Sequence, residues 1–270
     1  MIKVALSMIL LVNAFAGNPP PKTIVTTRAP CAWGIGLATT PGGNGTAFII
    51  GNRRELLTNM HVVDKHCLGN RRFTFSHGFD LDHALSTVPA TVVVHGDYCA
   101  GAAGGHHDYG GDWAIAVLDR DPAAVEHGSP PRLLEPRTDD NVRNDNGHYF
   151  LLGYGMLFRG GYHPYRAGPC RFGRLYTNGL AEHDCDTSPR SSGAAIVSQD
   201  ASGQCVVAAL NEGELSITLG RPAYRAGVNA NVAVLATRFA PAVAAVAREL
   251  ERGRNAKEIA ADLAAHPPER

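Results

Sequence analysis

Apolar residues in this chain arrive in short bursts. Thr46-Ala47-Phe48-Ile49-Ile50, Glu55-Leu56-Leu57-Thr58, Ala90-Thr91-Val92-Val93-Val94 and Trp113-Ala114-Ile115-Ala116-Val117-Leu118 lie in the first half. Tyr149-Phe150-Leu151-Leu152, Ala194-Ala195-Ile196-Val197 and Val206-Val207-Ala208-Ala209-Leu210 lie in the second. They are β-branched or aromatic in part. Turn formers such as Gly42-Gly43-Asn44-Gly45 and Asn144-Asp145-Asn146-Gly147 bound them. Such runs predict strands, and their spacing predicts an all-β sandwich or barrel. Residues 121–144, which include Ser129-Pro130-Pro131, read as a linker between two β units. The pattern changes within residues 232–251, where Phe239, Val243, Val246 and Leu250 recur at helical spacing among alanines. That predicts a helix, and a second helical piece is expected over residues 256–265, ahead of Pro267-Pro268.

The first residues change what belongs to the fold. Lys3 supplies a positive start, Val4 opens a short apolar run, and Ala14-Phe15-Ala16 has the small-x-small form of a cleavage site. Residues 1–16 therefore read as an export signal peptide, with a run too short to span a bilayer. Residues 17–30, with Pro19-Pro20-Pro21, read as an N-terminal arm or short pro-segment. Hydrophobic content of 44% does not indicate global disorder, and a formal net charge of zero points to no nucleic-acid or anionic-membrane partner. Cys31, Cys67, Cys99, Cys170, Cys185 and Cys205 form an even set behind an export signal, which reads as disulfides of a secreted or periplasmic protein. No Cys-x-x-Cys spacing suggests structural zinc.

Three segments carry chemistry. Leu57-Thr58-Asn59-Met60-His61 offers a base at a strand end. Asp112 offers a carboxylate at the start of an apolar strand, after Gly110-Gly111. Ser192-Gly193 offers a hydroxyl between a polar loop and a strand. A serine hydroxyl needs an adjacent base, and that base needs an orienting partner. His61 could take the proton and Asp112 hold the imidazole tautomer. Asp108 is a rival for the orienting role, and Asp112 is preferred because the strand follows it directly. His106-His107-Asp108 is too crowded to face one ion, so no metal and no cofactor is expected.

At these residues the chain resembles the trypsin-like (chymotrypsin-fold) serine peptidases, bacterial secreted branch. Leu57-Thr58-Asn59-Met60-His61 is similar to that family's Leu-Thr-x-x-His motif, and Asp112-Trp113-Ala114-Ile115 to its Asp-x-Ala-Leu-Leu motif. Asp186-Thr187-Ser188-Pro189-Arg190-Ser191-Ser192-Gly193 is similar to Asp-x-x-x-Gly-x-Ser-Gly. Gly45-Thr46-Ala47-Phe48-Ile49 and Leu152-Gly153-Tyr154-Gly155 resemble two further strands of the family. The resemblance implies two six-stranded antiparallel β-barrels over residues 31–130 and 131–235, with the site between them and a C-terminal helical segment over 236–270. It implies acyl-enzyme hydrolysis of a peptide or protein substrate by His61, Asp112 and Ser192. It implies an oxyanion hole from the backbone N–H groups of Arg190 and Ser192. Asn211, Glu212 and Gly213 would line the substrate groove. Asp186 would floor the primary specificity pocket and favour basic residues. Cys170 would pair with Cys185 by the same resemblance. Cys67 with Cys99 and Cys31 with Cys205 are the remaining pairs expected.

One residue departs from the pattern. Arg190 stands where the family has glycine. If the position needs a positive φ, arginine meets it only with strain. A weakened or conditionally formed oxyanion hole follows, and with it the alternative of a weak or inactive pseudo-peptidase that binds peptide or protein. Hydrolysis of non-peptide esters is a third reading, since the acyl chemistry is shared. Ser191 replaces the aspartate that pairs with a freed N-terminus in trypsin itself, so activation by that route is not expected.

Overall fold

The computed structural model describes residues 22–26, 29, 31–100, 107–122, 133–139, 142, 148–156, 162–199, 203–214 and 230–268. The expected signal peptide and much of the expected linker lie outside them. A short strand, β1 (Lys22–Ile24), comes first. β2 (Ile35–Thr40), β3 (Gly43–Ile49), β4 (Glu55–Thr58), β5 (Arg72–His77), β6 (Ser86–His95) and β7 (Ala114–Leu118) follow. These six close into a barrel in the order β2-β3-β4-β7-β6-β5. Every expected strand of the first half is present.

The second half contains β8 (Glu135–Pro136), β9 (Tyr149–Met156), β10 (Tyr162–Cys170), β11 (Phe172–Leu175), β12 (Leu180–His183), β13 (Ala195–Gln199), β14 (Cys205–Glu214) and β15 (Asn231–Leu235). They form a nine-stranded sheet with β1, in the order β1-β10-β9-β13-β14-β15-β12-β11, and β8 pairs with β14 off this path. Among the described residues, the pairing of the second half is an open sheet and not the closed six-stranded barrel that the resemblance implies. β10 has β9 on one edge and β1 on the other. β1 covers the middle of that second edge, in the register Lys22↔Ala167 to Ile24↔Tyr165. Part of the expected N-terminal arm is thus a strand of this sheet.

Burial explains why the strands read as continuous apolar runs rather than clean alternation. In β3, Ala47 and Ile49 pack inside the barrel with Leu56, Val88 and Ala116. Phe48 and Ile50 face the other way, into a cluster shared with Leu152, Val207, Phe239 and Val246. Both faces are dry because the second sheet and the C-terminal helices cover the outer one. Those helices are α2 (Ala240–Glu251) and α3 (Ala256–Ala265). Asn255 caps α3 through the amides of Lys257 and Glu258, and Glu258 returns a bond to Asn255. The three disulfides are Cys31–Cys205, Cys67–Cys99 and Cys170–Cys185, the pairs expected. The first joins the two β halves and the third ties the end of β10 to the segment after β12.

Candidate active site

β4 and β7 are neighbours in the barrel, with Thr58 opposite Ala114. This pairing brings the residues beyond the two strand ends together. Asn59 leaves β4 in extended backbone, and a short helix, α1 (Met60–Asp64), begins at once, with His61 in its first turn. Asn59 makes no side-chain cap to that helix; its Nδ2 donates to the backbone oxygen of Asp112 at 2.7 Å. On the other side, a single 3-10 turn at Tyr109–Gly111 delivers Asp112 to the start of β7. Asp108 caps that turn by accepting from the Gly110 N–H at 3.0 Å. Asp108 is therefore a turn residue, and Asp112 faces the histidine.

Asp112 is fully buried and holds His61 at two points. His61 Nδ1 lies 2.5 Å from Oδ2, and the His61 backbone N–H donates to Oδ1 at 2.9 Å. Burial pushes the imidazole pKa down, but the charge and hydrogen bond of Asp112, then the charge of Glu212, raise it more. The result lies above the ordinary histidine value. His61 is still partly exposed, as a base that meets a ligand must be.

Ser192 sits in a tight loop between β12 and β13. Ser191 N–H donates to Ser188 O at 3.0 Å, Ala194 N–H to Ser191 O at 2.9 Å, and Gly193 N–H to Asn211 O at 2.9 Å. Gly193 has φ +83°, and a Cβ there would lie 2.0 Å from the backbone oxygen of Thr46. Glycine is required on both counts. Arg190 also has φ +83°. It is held there by contacts on both sides of its chain: Nη1 donates to Asn44 O at 3.4 Å, and the guanidinium carbon lies 6.0 Å from the Tyr162 ring centroid. The backbone N–H groups of Arg190 and Ser192 donate to no acceptor among the described residues. The Ser192 hydroxyl donates to the Glu212 backbone oxygen at 2.9 Å rather than to His61.

Thr46, within a strand expected from the sequence, joins the two halves around this loop. Its N–H donates to Ser192 O at 2.8 Å and its Oγ1 to Arg190 O at 3.2 Å. The same Oγ1 accepts from Tyr154 N–H at 2.8 Å, and Thr46 O accepts from Thr58 Oγ1 at 2.7 Å. Thr46 is fully buried, and each of its polar groups has a partner.

Asn211 does not line a groove. It is fully buried, with its Nδ2 donating to Ser191 O at 2.9 Å and its Oδ1 3.1 Å from His183 Nε2. Burial drives the His183 pKa down to about 4, so this imidazole is neutral and Nε2 carries the proton that Asn211 accepts. Asn211 Nδ2 also donates to Ser191 Oγ at 3.3 Å, so these hydrogen bonds hold Ser191 in place. Glu212 does face the site. The β14–β15 register slips between Asn211 and Gly213, so Glu212 is the extra residue of a bulge. Bulges re-aim side chains near sites. Polar atoms of Glu212, His61 and Asp112 all lie within 4.8 Å of one another. Burial and then the charge of Asp112 push the Glu212 carboxyl up to about 7, against the charge of His61. Gly213 is open: a Cβ there would meet nothing within 4 Å.

Asp186 is already paired. Lys22 Nζ lies 2.9 Å from its Oδ1 and donates to Thr187 O at 2.5 Å. His107 stacks on Tyr98, with ring centroids 4.4 Å apart, and His106 lies outside the described residues.

No protein-family model matches the sequence, and no curated protein does. Solved structures do match. One, described as a Glu endopeptidase in complex with MPD, aligns with a TM-score of 0.61 at 18% identity, over 87% of this chain and 99% of that one. An inactive mutant form of Rv3671c from M. tuberculosis H37Rv aligns at 17% identity over 95% and 96% of the two chains, with a TM-score of 0.49. With the closed barrel, the partnered sheet and the helical C-terminus, the first likeness defines the fold. The chain has the chymotrypsin-like fold of the trypsin-like serine peptidases.

Proposed function

We propose that the protein is a secreted or periplasmic serine endopeptidase that cleaves peptide or protein substrates through an acyl-enzyme. The grip of buried Asp112 on His61 is the observation that carries this reading. It sets the proton on Nδ1 and leaves Nε2 as the base. Ser192 Oγ rotates from Glu212 O to His61 Nε2, gives up its proton there and bonds to the substrate carbonyl carbon. The developing oxyanion is held by the N–H groups of Arg190 and Ser192. His61 returns the proton to the leaving amine, and water repeats the sequence to release the acid. His61 serves as base only when neutral, so turnover falls as pH drops through its raised pKa.

Three disulfides support a location outside the cytoplasm, and no helix among the described residues is long and apolar enough to cross a membrane. The proposed boundaries are 1–16 for the signal, 31–130 and 131–235 for the two β units and 236–270 for the helical end.

The test is labelling of the folded protein by a fluorophosphonate, beside its Ser192→Ala variant. Labelling that vanishes in the variant is the expected result. No labelling of the disulfide-intact protein would overturn the reading in favour of a peptide-binding pseudo-peptidase. That second reading is favoured by Arg190. A non-glycine residue in left-handed backbone carries strain of roughly 1–2 kcal/mol. Arg190→Gly is accordingly expected to raise kcat on a peptide substrate, and an equal or lower kcat would show that the strain does not limit the hole.

A further inference from the structure

Asp186 and Lys22 come from sequence positions far apart, and β1 brings them together. β1 adds to β10 with Lys22 opposite Ala167, and Val25 N–H extends the pairing to Pro164 O at 3.0 Å. Lys22 then reaches across the sheet edge. Its ammonium lies 2.9 Å from Asp186 Oδ1, donates to Thr187 O at 2.5 Å and sits 5.7 Å from the Tyr165 ring centroid. Both side chains are largely enclosed, Lys22 at 12% and Asp186 at 19% exposure. An anion, a backbone carbonyl and an aromatic face around one ammonium make the set of contacts that a substrate lysine or arginine would seek.

We infer that Lys22 is a specificity-determining residue: it occupies the carboxylate of Asp186 as an internal ligand, and loss of Lys22 uncovers a site for basic side chains. The inference rests on the peptidase reading, whose family resemblance puts Asp186 at the floor of the primary pocket. With Lys22 in place the ion pair is neutral, and the intact chain does not select arginine or lysine. A competing side chain from a substrate must displace a group tethered on the same chain, whose effective concentration is in the millimolar range for short tethers. Cleavage of the arm beyond residue 22 would remove that competitor, and the same pocket would then select cations.

The probe is p-aminobenzamidine, an aryl amidinium whose fluorescence rises in an apolar pocket. It is titrated into the intact protein and into Lys22→Met, Lys22→Gln, Lys22→Arg and Lys22→Met/Asp186→Asn. The two neutral variants are expected to bind about 10- to 100-fold tighter than the intact chain, the scale of a charge-assisted hydrogen bond gained. Lys22→Arg keeps the internal cation and is expected to bind as weakly as the intact chain. The double variant is expected to lose the gain. Affinity in Lys22→Met and Lys22→Gln within twofold of the intact chain overturns the inference, as does a gain that survives Asp186→Asn. Fluorophosphonate labelling of Ser192 is read in parallel. If labelling fails in every variant, the peptidase reading falls, while the amidinium titration still decides the role of Lys22.

Discussion

Asp112→Asn is expected to lower turnover by about 10⁴-fold, with the fold intact. The reason lies in how the two carboxylate oxygens are used. Oδ1 accepts the His61 backbone N–H, and Oδ2 faces Nδ1. An asparagine has one oxygen, and the backbone N–H must have it. The amide NH2 then faces Nδ1 and turns that nitrogen into an acceptor. The proton moves to Nε2, where Ser192 needs an acceptor, so the base is lost without losing the histidine. The pH profile should move too. The charge of Asp112 is the largest influence raising the His61 pKa, so its removal lowers that pKa and carries the onset of residual activity to lower pH. Steady-state hydrolysis of a peptide ester across pH measures both effects. A kcat within tenfold of the parent would refute the assigned role.

Thr46→Val is expected to cost roughly 2–5 kcal/mol of stability, because Tyr154 N–H and Arg190 O are both left without their buried partner. Valine matches threonine in shape, so the loss is that of the hydroxyl and not of packing. Its effect on catalysis should exceed that of an ordinary core change. Arg190 O and Ser192 O both hang on Thr46, and these residues flank the proposed oxyanion hole. A displacement of the loop by about 1 Å is expected to lower kcat on the order of 10²-fold. Thr46→Ser keeps the hydroxyl and should remain near the parent. Urea unfolding and peptide-ester turnover of the two variants decide the matter: equal values for valine and serine would remove Thr46 from the support of the site.

Much of this protein could be read from its residues. The apolar bursts located seven of the strands, β3, β4, β6, β7, β9, β13 and β14, because a buried strand of four to six residues needs β-branched or aromatic side chains and turn formers around it. Residues 256–265 were legible as a helical piece ahead of Pro267-Pro268, while the cap at Asn255 was found only in the structure. His61, Asp112 and Ser192 were legible because each stands beside a strand end with a distinct turn signal. Asn59, Thr46 and His183 were less visible. Their roles depend on partners more than ten residues away in the chain, and nothing local marks a buried polar residue as a support for a loop.

The sequence by itself determined the β class, the positions of seven strands, the candidate acid, base and nucleophile, and the number of cysteines that could pair. Local propensity and residue chemistry suffice for these. Tertiary structure alone decided the rest. It set β1 on the edge of β10 and put Lys22 on Asp186. It turned Asn211 inward to His183 and Ser191, and it aimed Glu212 at His61 through a bulge. Each of these is a competition between distant groups for one edge, one charge or one buried hydrogen bond. The winner of such a competition is set by which groups the packed fold brings within reach, and no local pattern along the chain encodes it.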